Sequence, residues 1–431
     1  MSSIHVHGLG YIGLPTAAML ANYGHSVVGV DVDTELVAEL QNGTVTVEEP
    51  GLRAFVTEAL DSGNLEVSEE VGPSKYHIIA VPTPFDDKEK VAKLDYIEEA
   101  GKAIYPHLRS GDSVILESTV PPGTTETVLQ PILEQSGHHA GEDIALIHCP
   151  ETVLPGNIIT ELRENDRIIG GVNGVSTEAA VRLYDSFVEG DIHTTTDATT
   201  AEFVKLIQNT YRDTNIALAN ELAKLANDYD IDSREATQLA NEHPRVELHQ
   251  PGPGVGGHCL PIDPWFLGQN SDELNLISLA RQINDGMADY VVEVLQSEIG
   301  SLDGKTIAIL GIAYKGNVDD IRNSPGLEIA RRIQSSIERK ESSISADGGA
   351  SPGVNVNLND PHVDDQTLNL HPLDDAITDA DALVIATDHK EYTDMDLDRV
   401  QQQMSGNTII DSKAVLDKMR WINAGFNLTR I

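Results

Sequence analysis

The chain has 431 residues, enough for two or three domains with separate cores. Its 69 acidic against 29 basic residues leave a net charge of −40, a field that excludes nucleic acid and anionic membranes as partners. Two cysteines exclude a disulfide framework, and acidity dispersed over a chain that is 40% hydrophobic excludes disorder and fits a halophilic source, where salt screens self-repulsion.

Met1-Ser2-Ser3-Ile4-His5-Val6 runs straight into a strand pattern, and no stretch approaches the ~20 apolar residues of a membrane helix, so the expected location is cytoplasmic. The short strand Ile4-His5-Val6-His7 is followed by Gly8-Leu9-Gly10-Tyr11-Ile12-Gly13, a helix over 16–23, and a strand over 26–30 that ends in Asp31. In such a unit Gly8 makes the turn, Gly10 admits a pyrophosphate, and Gly13 lets helix pack closely on strand. The helix N-terminus adds N–H donors and partial positive charge for phosphates. Asp31, 18 positions after Gly13, is placed to bond ribose hydroxyls and repel a 2′-phosphate. The combination predicts NAD as cofactor, held by Gly8, Gly10, Tyr11, Ile12, Gly13 and Asp31.

The β/α alternation continues. A strand over 77–81 leads into Pro82-Thr83-Pro84, and one over 113–116 into Glu117-Ser118-Thr119. Strand ends of a parallel sheet line the ligand crevice, which puts Thr83 and Thr119 at a nicotinamide pocket. The strand over 144–148 runs into Cys149-Pro150-Glu151. There Glu151 is a candidate acid/base and Cys149 reads as structural. After a further strand from 165 to 171, residues 198–228 contain no Pro or Gly and predict a helix of roughly 45 Å. Glu202, Lys205, Asn209 and Arg212 share one face of it. That stripe is either solvated or turned toward an active-site cleft.

A shorter helix is expected over 233–242, followed by His243-Pro244-Arg245 and then by Pro251-Gly252-Pro253-Gly254-Val255-Gly256-Gly257-His258-Cys259-Leu260-Pro261-Ile262-Asp263-Pro264. Glycines there let backbone N–H groups approach a ligand, and the prolines lower the entropy cost of ordering the loop. A thiol so delivered, with Asp263 four residues on, points to a covalent site. The alternative is a tight turn with an inert Cys. A helix is predicted over 274–297, strands over 306–311, 355–358, 382–387 and 408–411, and a Ser/Gly-rich surface loop over 342–353. Two α/β regions thus flank a helical middle, expected as 1–190, 191–300 and 301–431.

With Gly-Leu-Gly-Tyr-Ile-Gly-Leu-Pro, Val-Pro-Thr-Pro, Glu-Ser-Thr-Val-Pro-Pro-Gly-Thr-Thr, the Lys205/Asn209 helix and Gly-Gly-His-Cys-Leu-Pro-Ile-Asp-Pro in this order, nearly the whole chain resembles the nucleotide-sugar 6-dehydrogenases. Within that family the stretches around Glu151, Asn165-Asp166-Arg167, His243-Pro244-Arg245-Val246 and Asp263-Pro264-Trp265-Phe266 look most like the UDP-N-acetyl-D-mannosamine branch. Thr152 departs from it, where that branch has Arg. The resemblance implies an α/β fold of two Rossmann-like doubly wound parallel-sheet domains joined by a central helical domain with a long helix. It also implies oxidation of a C6 alcohol to a carboxylate by two NAD⁺ in turn, in polysaccharide biosynthesis.

In that reading Cys259 captures the aldehyde and carries a thioester, while Lys205 and Asn209 hold the developing oxyanion. Asp263 and Glu151 transfer protons, and Thr119 joins the catalytic set. Contacts to the UDP-sugar fall to Glu151, Val153, Lys205, Asn209 and Arg212, and to Gly256, His258, Tyr314 and Lys315. Arg245 reaches across a homodimer interface formed by the central helices. Arg322 is implied at the cofactor and, with Lys315, as an anion contact; an ion pair with Asp319 or Asp320 is the alternative. No metal is expected. Other readings are a UDP-glucose or UDP-N-acetylglucosamine 6-dehydrogenase and, in a different class, a non-catalytic nucleotide-responsive regulator. Such a regulator has no need of Cys259, Lys205, Asn209 and Asp263 together.

Overall fold

Strand β1 (Ser3–His7) is buried from Ile4 onward on both faces, as a central parallel strand is when helices cover both sides of its sheet. The computed structural model describes residues 1–47, 49–154, 156–341 and 353–431, with backbone alone over 336–341. They divide into two units, 1–208 with 265–273 and 209–264 with 274–431. The surface loop expected over 342–353 lies outside the described residues except for Gly353.

In the first unit β1 is joined by β2 (Ser26–Val30), β3 (Leu65–Ser68), β4 (Tyr76–Ile79), β5 (Ser113–Leu116), β6 (Ala145–His148), β7 (Arg167–Gly171) and β8 (Ile192–Thr194). Their order is β8-β7-β6-β5-β4-β1-β2-β3. All pairings are parallel except β6 with β7. The order reverses between β1 and β4, the switch point beyond which strand C-termini open a ligand crevice. Helix α1 (Gly13–Asn22) starts three residues earlier than expected, because the glycine turn passes directly into it. Its small and aliphatic residues Leu14, Ala17, Ala18, Leu20 and Ala21 are fully buried with Ile4, Val6 and Ile78 of the sheet.

The long helix α2 (Ala198–Asp228) has the expected bounds. Asp197 caps its start by accepting from Thr200 N at 2.7 Å. Just past its end, Asp230 adopts a positive φ of 56° that no helix continues through.

The second unit holds β9 (Thr306–Leu310), β10 (Asn355–Asn359), β11 (Ala382–Ile385), β12 (Thr408–Asp411) and β13 (Asn427–Arg430), all parallel in the order β10-β9-β11-β12-β13. The helix expected over 274–297 is two helices, α3 (Asn275–Asp285) and α4 (Met287–Ile299), interrupted at Gly286. Glycine is a poor helix former, and one residue suffices for the break. Among the described residues no helix is long and apolar enough to cross a membrane.

Candidate active site

The turn from β1 into α1 is built by steric exclusion. Gly8 has φ +89°, and a Cβ on it would lie 2.8 Å from Ala80 O. A Cβ on Gly13 would lie 1.8 Å from Gly8 O, so only glycine permits this approach of helix to strand. Gly10 is exposed, and a Cβ there would meet nothing within 4 Å. The turn is closed on the protein side and open where a phosphate approaches. Asp31 is fixed at the end of β2 by accepting from Leu9 N (2.7 Å) and Asp33 N (3.0 Å). These residues fit a dinucleotide: a cradle without side chains at the helix start and a carboxylate at the neighbouring strand end. The Tyr11 hydroxyl donates to Glu49, which also accepts from Gly156 N at 2.9 Å. Glu49 thereby ties the turn to Gly156, a link with no local signal in the sequence. Ile12 is the residue immediately before α1.

Thr83 and Thr119 come together, Thr83 Oγ1 donating to Thr119 O at 2.8 Å. Beside them lies a buried cluster that the sequence reading missed. Glu117, at the end of β5, accepts from the hydroxyl of Tyr184, and burial next to Glu151 pushes its carboxyl up to about 7. The only sequence signal was a Glu closing the apolar run Val114-Ile115-Leu116. Glu151 is paired with the buried Arg167, and its other oxygen accepts from Thr152 N (2.6 Å) and Val153 N (3.0 Å). The carboxylate expected to move protons is therefore also the one that shapes the loop carrying Val153. Cys149 is fully buried, and burial pushes its thiol up to about 12, so it is inert.

The stripe on α2 divides along its length: Glu202 is buried, Lys205 and Asn209 are half-buried, and Arg212 is exposed. The carboxyl of Glu202 is pushed up to about 7 by burial, against the pull of its donors Thr125 and Gly123. His148, fully buried, is held neutral by burial and secondarily by Lys205, with its pKa brought to about 3.

In the second unit the cysteine loop interlocks with the segment after β9. Gly257 N donates to Arg322 O and Asn323 Nδ2 donates to Gly257 O, both at 2.8 Å. A Cβ on Gly256 would lie 2.6 Å from Asn323 O, and one on Gly257, whose φ is +85°, would lie 3.0 Å from the Tyr314 ring. Tyr314 thus packs where no other residue type leaves room. Past the glycines the chain turns tightly, Ile262 N and Asp263 N both donating to Cys259 O at 3.0 and 2.9 Å. Asp263, 4% exposed, accepts from Asn209 Nδ2 at 2.6 Å. The turn and one hydrogen bond bring together Cys259, Asp263 and Asn209. Of the two expectations for Arg322, the ion pair is present: its guanidinium grips Asp320 at 2.6 and 2.9 Å. His258 Nδ1 lies 3.9 Å from the same carboxylate. Arg245 and Lys315 are exposed.

A doubly wound sheet with a dinucleotide turn, in a chain that also presents a Cys–Asp–Asn constellation, defines a nicotinamide-dependent oxidoreductase. Residues 2–188 match the NAD binding domain, 199–286 the central domain and 308–418 the UDP binding domain of the UDP-glucose/GDP-mannose dehydrogenase family. The chain belongs to that family. It is 41% identical to a UDP-N-acetyl-D-mannosamine dehydrogenase of Methanococcus vannielii over 99% of this chain and 96% of that protein. A protein of the same name from Campylobacter jejuni is 42% identical over 93% of this chain and 98% of its own length. Among solved structures, a UDP-D-ManNAc dehydrogenase from Pyrococcus horikoshii superposes with a TM-score of 0.88 at 40% identity, covering 100% of this chain and 99% of that one.

Proposed function

We propose that this protein oxidises the C6 hydroxyl of UDP-N-acetyl-D-mannosamine to a carboxylate, with two NAD⁺ consumed per sugar. The observation that carries the reading is the Asn209–Asp263 hydrogen bond across the Cys259 turn, in a chain whose relatives bear that substrate's name. NAD⁺ would be held by Gly8, Gly10, Tyr11, Ile12, Gly13 and Asp31, with Thr83 and Thr119, and would supply the hydride acceptor for both oxidations. Lys205 lies one helical turn from Asn209 on the same face of α2. Its ammonium and the Asn209 amide stabilise the C6 oxygen as charge develops on it.

Cys259 Sγ adds to the C6 aldehyde, forming the S–C bond of a thiohemiacetal as its proton passes to the oxygen. Loss of that hydroxyl proton and of the C6 hydride leaves a thioester. Water attacks it, the S–C bond breaks, and the thiol is restored beside a carboxylate. Asp263 takes protons in these steps, and Glu151 offers a second carboxylate while holding Thr152 N and Val153 N. Arg212, Arg245, Gly256, His258, Tyr314 and Lys315 complete the UDP-sugar contacts, in a chain organised as 1–190, 191–300 and 301–431.

The chain works as a homodimer. Tyr211, Leu218, Leu222, Leu225 and Tyr229 of α2 and its end are 36–74% exposed at spacings that form one apolar stripe. It is a cytoplasmic enzyme of a halophile, serving polysaccharide biosynthesis, and it loses activity as salt falls from molar to ~0.1 M and screening lengthens to ~10 Å.

The test is NADH release with a panel of nucleotide sugars in high salt. Two NADH per UDP-N-acetylmannosamine are expected, with the highest kcat/KM for that sugar. UDP-glucose as the best substrate would overturn the choice of sugar. Cys259→Ser should abolish turnover while NAD binding persists, and a variant that keeps its steady-state rate would remove the thioester from the mechanism.

A further inference from the structure

We propose that Glu202 is a positioning residue, which holds the 119–125 loop and the helix bearing Lys205 in one fixed register. The loop and the helix segment both belong to the first unit. Glu202 is 1% exposed, and its carboxylate meets the loop through three donors. Thr125 N and Thr125 Oγ1 give to Oε1 at 2.8 and 2.6 Å, and Gly123 N gives to Oε2. No other side chain of α2 has its polar atoms so fully committed to that loop among the described residues.

The loop needs an external acceptor. The stretch Thr125–Leu129 is π-helical, and the N–H groups at the start of such a helix have no acceptor within it. Π-helical turns are rare and concentrate at functional sites. A carboxyl group brought in by another helix accepts from two N–H groups at this start, Gly123 N and Thr125 N, at once. The rest of the loop is already pinned internally: Thr124 Oγ1 donates to Pro121 O at 2.6 Å and Thr127 Oγ1 to Gly123 O at 2.7 Å. These bonds hold the loop's shape but do not tie it to α2. Glu202 supplies that tie.

What this fixes follows from spacing. Thr119 heads the loop and holds Thr83, while Lys205 lies three residues beyond Glu202 on the same helical face. On the proposed function, on which this inference rests, Thr119 belongs at the nicotinamide and Lys205 at the reacting oxygen. Glu202 touches neither substrate nor cofactor in this account; it sets the separation of two groups that do. A shift of ~1 Å in such a pair costs on the order of 10²-fold in rate.

The experiment compares the full chain with Glu202→Gln, Glu202→Ala, Lys205→Ala and the double variant Glu202→Ala/Lys205→Ala. The readouts are kcat per folded molecule, KM for each substrate and the folded fraction by circular dichroism. Gln keeps the volume and one acceptor but turns an NH₂ toward Gly123 N–H. For Glu202→Gln, kcat should fall ~10- to 100-fold with KM for the UDP-sugar changed by less than about threefold. The double variant should be no more than about threefold slower than Lys205→Ala, because a displaced lysine that is absent cannot be displaced further. Additive losses would overturn the proposal, as would a Glu202→Gln enzyme of unchanged kcat, even if less of it folds. Full turnover of Lys205→Ala would instead overturn the functional reading itself, and the proposal with it.

Discussion

The two sheet-bearing units solve the same turn in the same way and then use it differently. After β1, Gly8 (φ +89°) and Gly13 bring helix against strand; after β9, Gly311 (φ +95°) and Gly326 do so, and a Cβ on Gly326 would lie 2.1 Å from Gly311 O. Each turn is also held by an acid at the end of the neighbouring strand, Asp31 after β2 and Asp360 after β10. The difference lies in what is left over. Four residues lie between the first pair of glycines and fourteen between the second, an interval that carries Tyr314, Lys315 and Arg322. Asp31, half-exposed, accepts from just two donors among the described residues, Leu9 N and Asp33 N. Asp360 binds Ile312 N, Ala313 N, His362 N, Val363 N and His389 Nε2; burial pushes its carboxyl up, and the bonds from His389, Ala313, His362 and Ile312 override it and hold it down at about 2. An acid saturated by its own protein organises a loop; an acid with capacity to spare can read a ligand.

The largest expected effect comes from the glycines that make both turns possible. Gly13→Ala and Gly326→Ala each force a Cβ into a carbonyl oxygen, and backbone cannot yield as a flexible side chain would. Each should cost several kcal/mol, on the order of the largest single-residue effects, and each should abolish binding at its own unit. Gly10→Ala is the sharpening control. Its Cβ has open space, so the melting temperature should stay within about 1 °C while NAD affinity falls at least tenfold, because the added methyl occupies the phosphate approach. Calorimetric titration with NAD⁺ checks both. A Gly10→Ala protein that binds NAD⁺ normally would break the assignment of this turn.

Next in size is the exchange of the two acids. Asp360→Ala leaves four N–H groups and His389 without their acceptor in a buried site and should cost about 3–5 kcal/mol. Asp31→Ala should cost about 1 kcal/mol but lower the preference for NAD⁺ over NADP⁺ at least tenfold, since two like charges in contact no longer repel. Denaturant melts and cofactor competition separate the two outcomes. Equal destabilisation by both substitutions would mean that Asp31 is as saturated as Asp360, and the contrast would fail.

Much of this was legible beforehand. The Gly8–Gly13 turn, Asp31 and the bounds of α2 followed from local rules, because glycine spacing, strand ends and the absence of helix breakers act within a few residues. The family followed from ordered motifs. What stayed hidden depends on distant partners: Glu117 meets Tyr184 from 67 positions away, and His389 meets Asp360 from 29. Charged and polar side chains in buried clusters carry no periodicity to read. The strands β3, β8 and β13 were missed because they are short and lie at or near sheet edges, where Asn427, Thr429 and Arg430 can face solvent and blur the apolar pattern. The Glu202 stripe was seen as a face, but only the fold shows that its first member is buried against a loop and its last is exposed.

The smallest effect concerns two histidines, one in each unit, both fully buried. His389 uses both ring nitrogens, Nε2 toward Asp360 at 2.9 Å and Nδ1 accepting from Asn317 N at 2.9 Å. In His148 both ring nitrogens lie buried with no hydrogen-bond partner among the described residues. Burial, with Lys205 adding to it, brings the His148 pKa from 6.5 to about 3. Between those values the unfolded chain binds a proton that the folded chain refuses, so His148 subtracts stability progressively as pH falls below 6.5. Leucine at this position removes both the unpaired nitrogens and the proton linkage. His148→Leu should therefore gain about 1 kcal/mol at pH 7, and its advantage over the parent should widen by about 1.4 kcal/mol for each pH unit below 6.5. His389→Leu should lose stability already at pH 7, because Asn317 N–H and Asp360 each forfeit a partner. Urea melts of the three proteins at pH 7 and pH 5.5 decide it. An advantage for His148→Leu that stays constant across that interval would mean His148 is not held neutral by its site, and the two histidines would then differ in their hydrogen bonds alone.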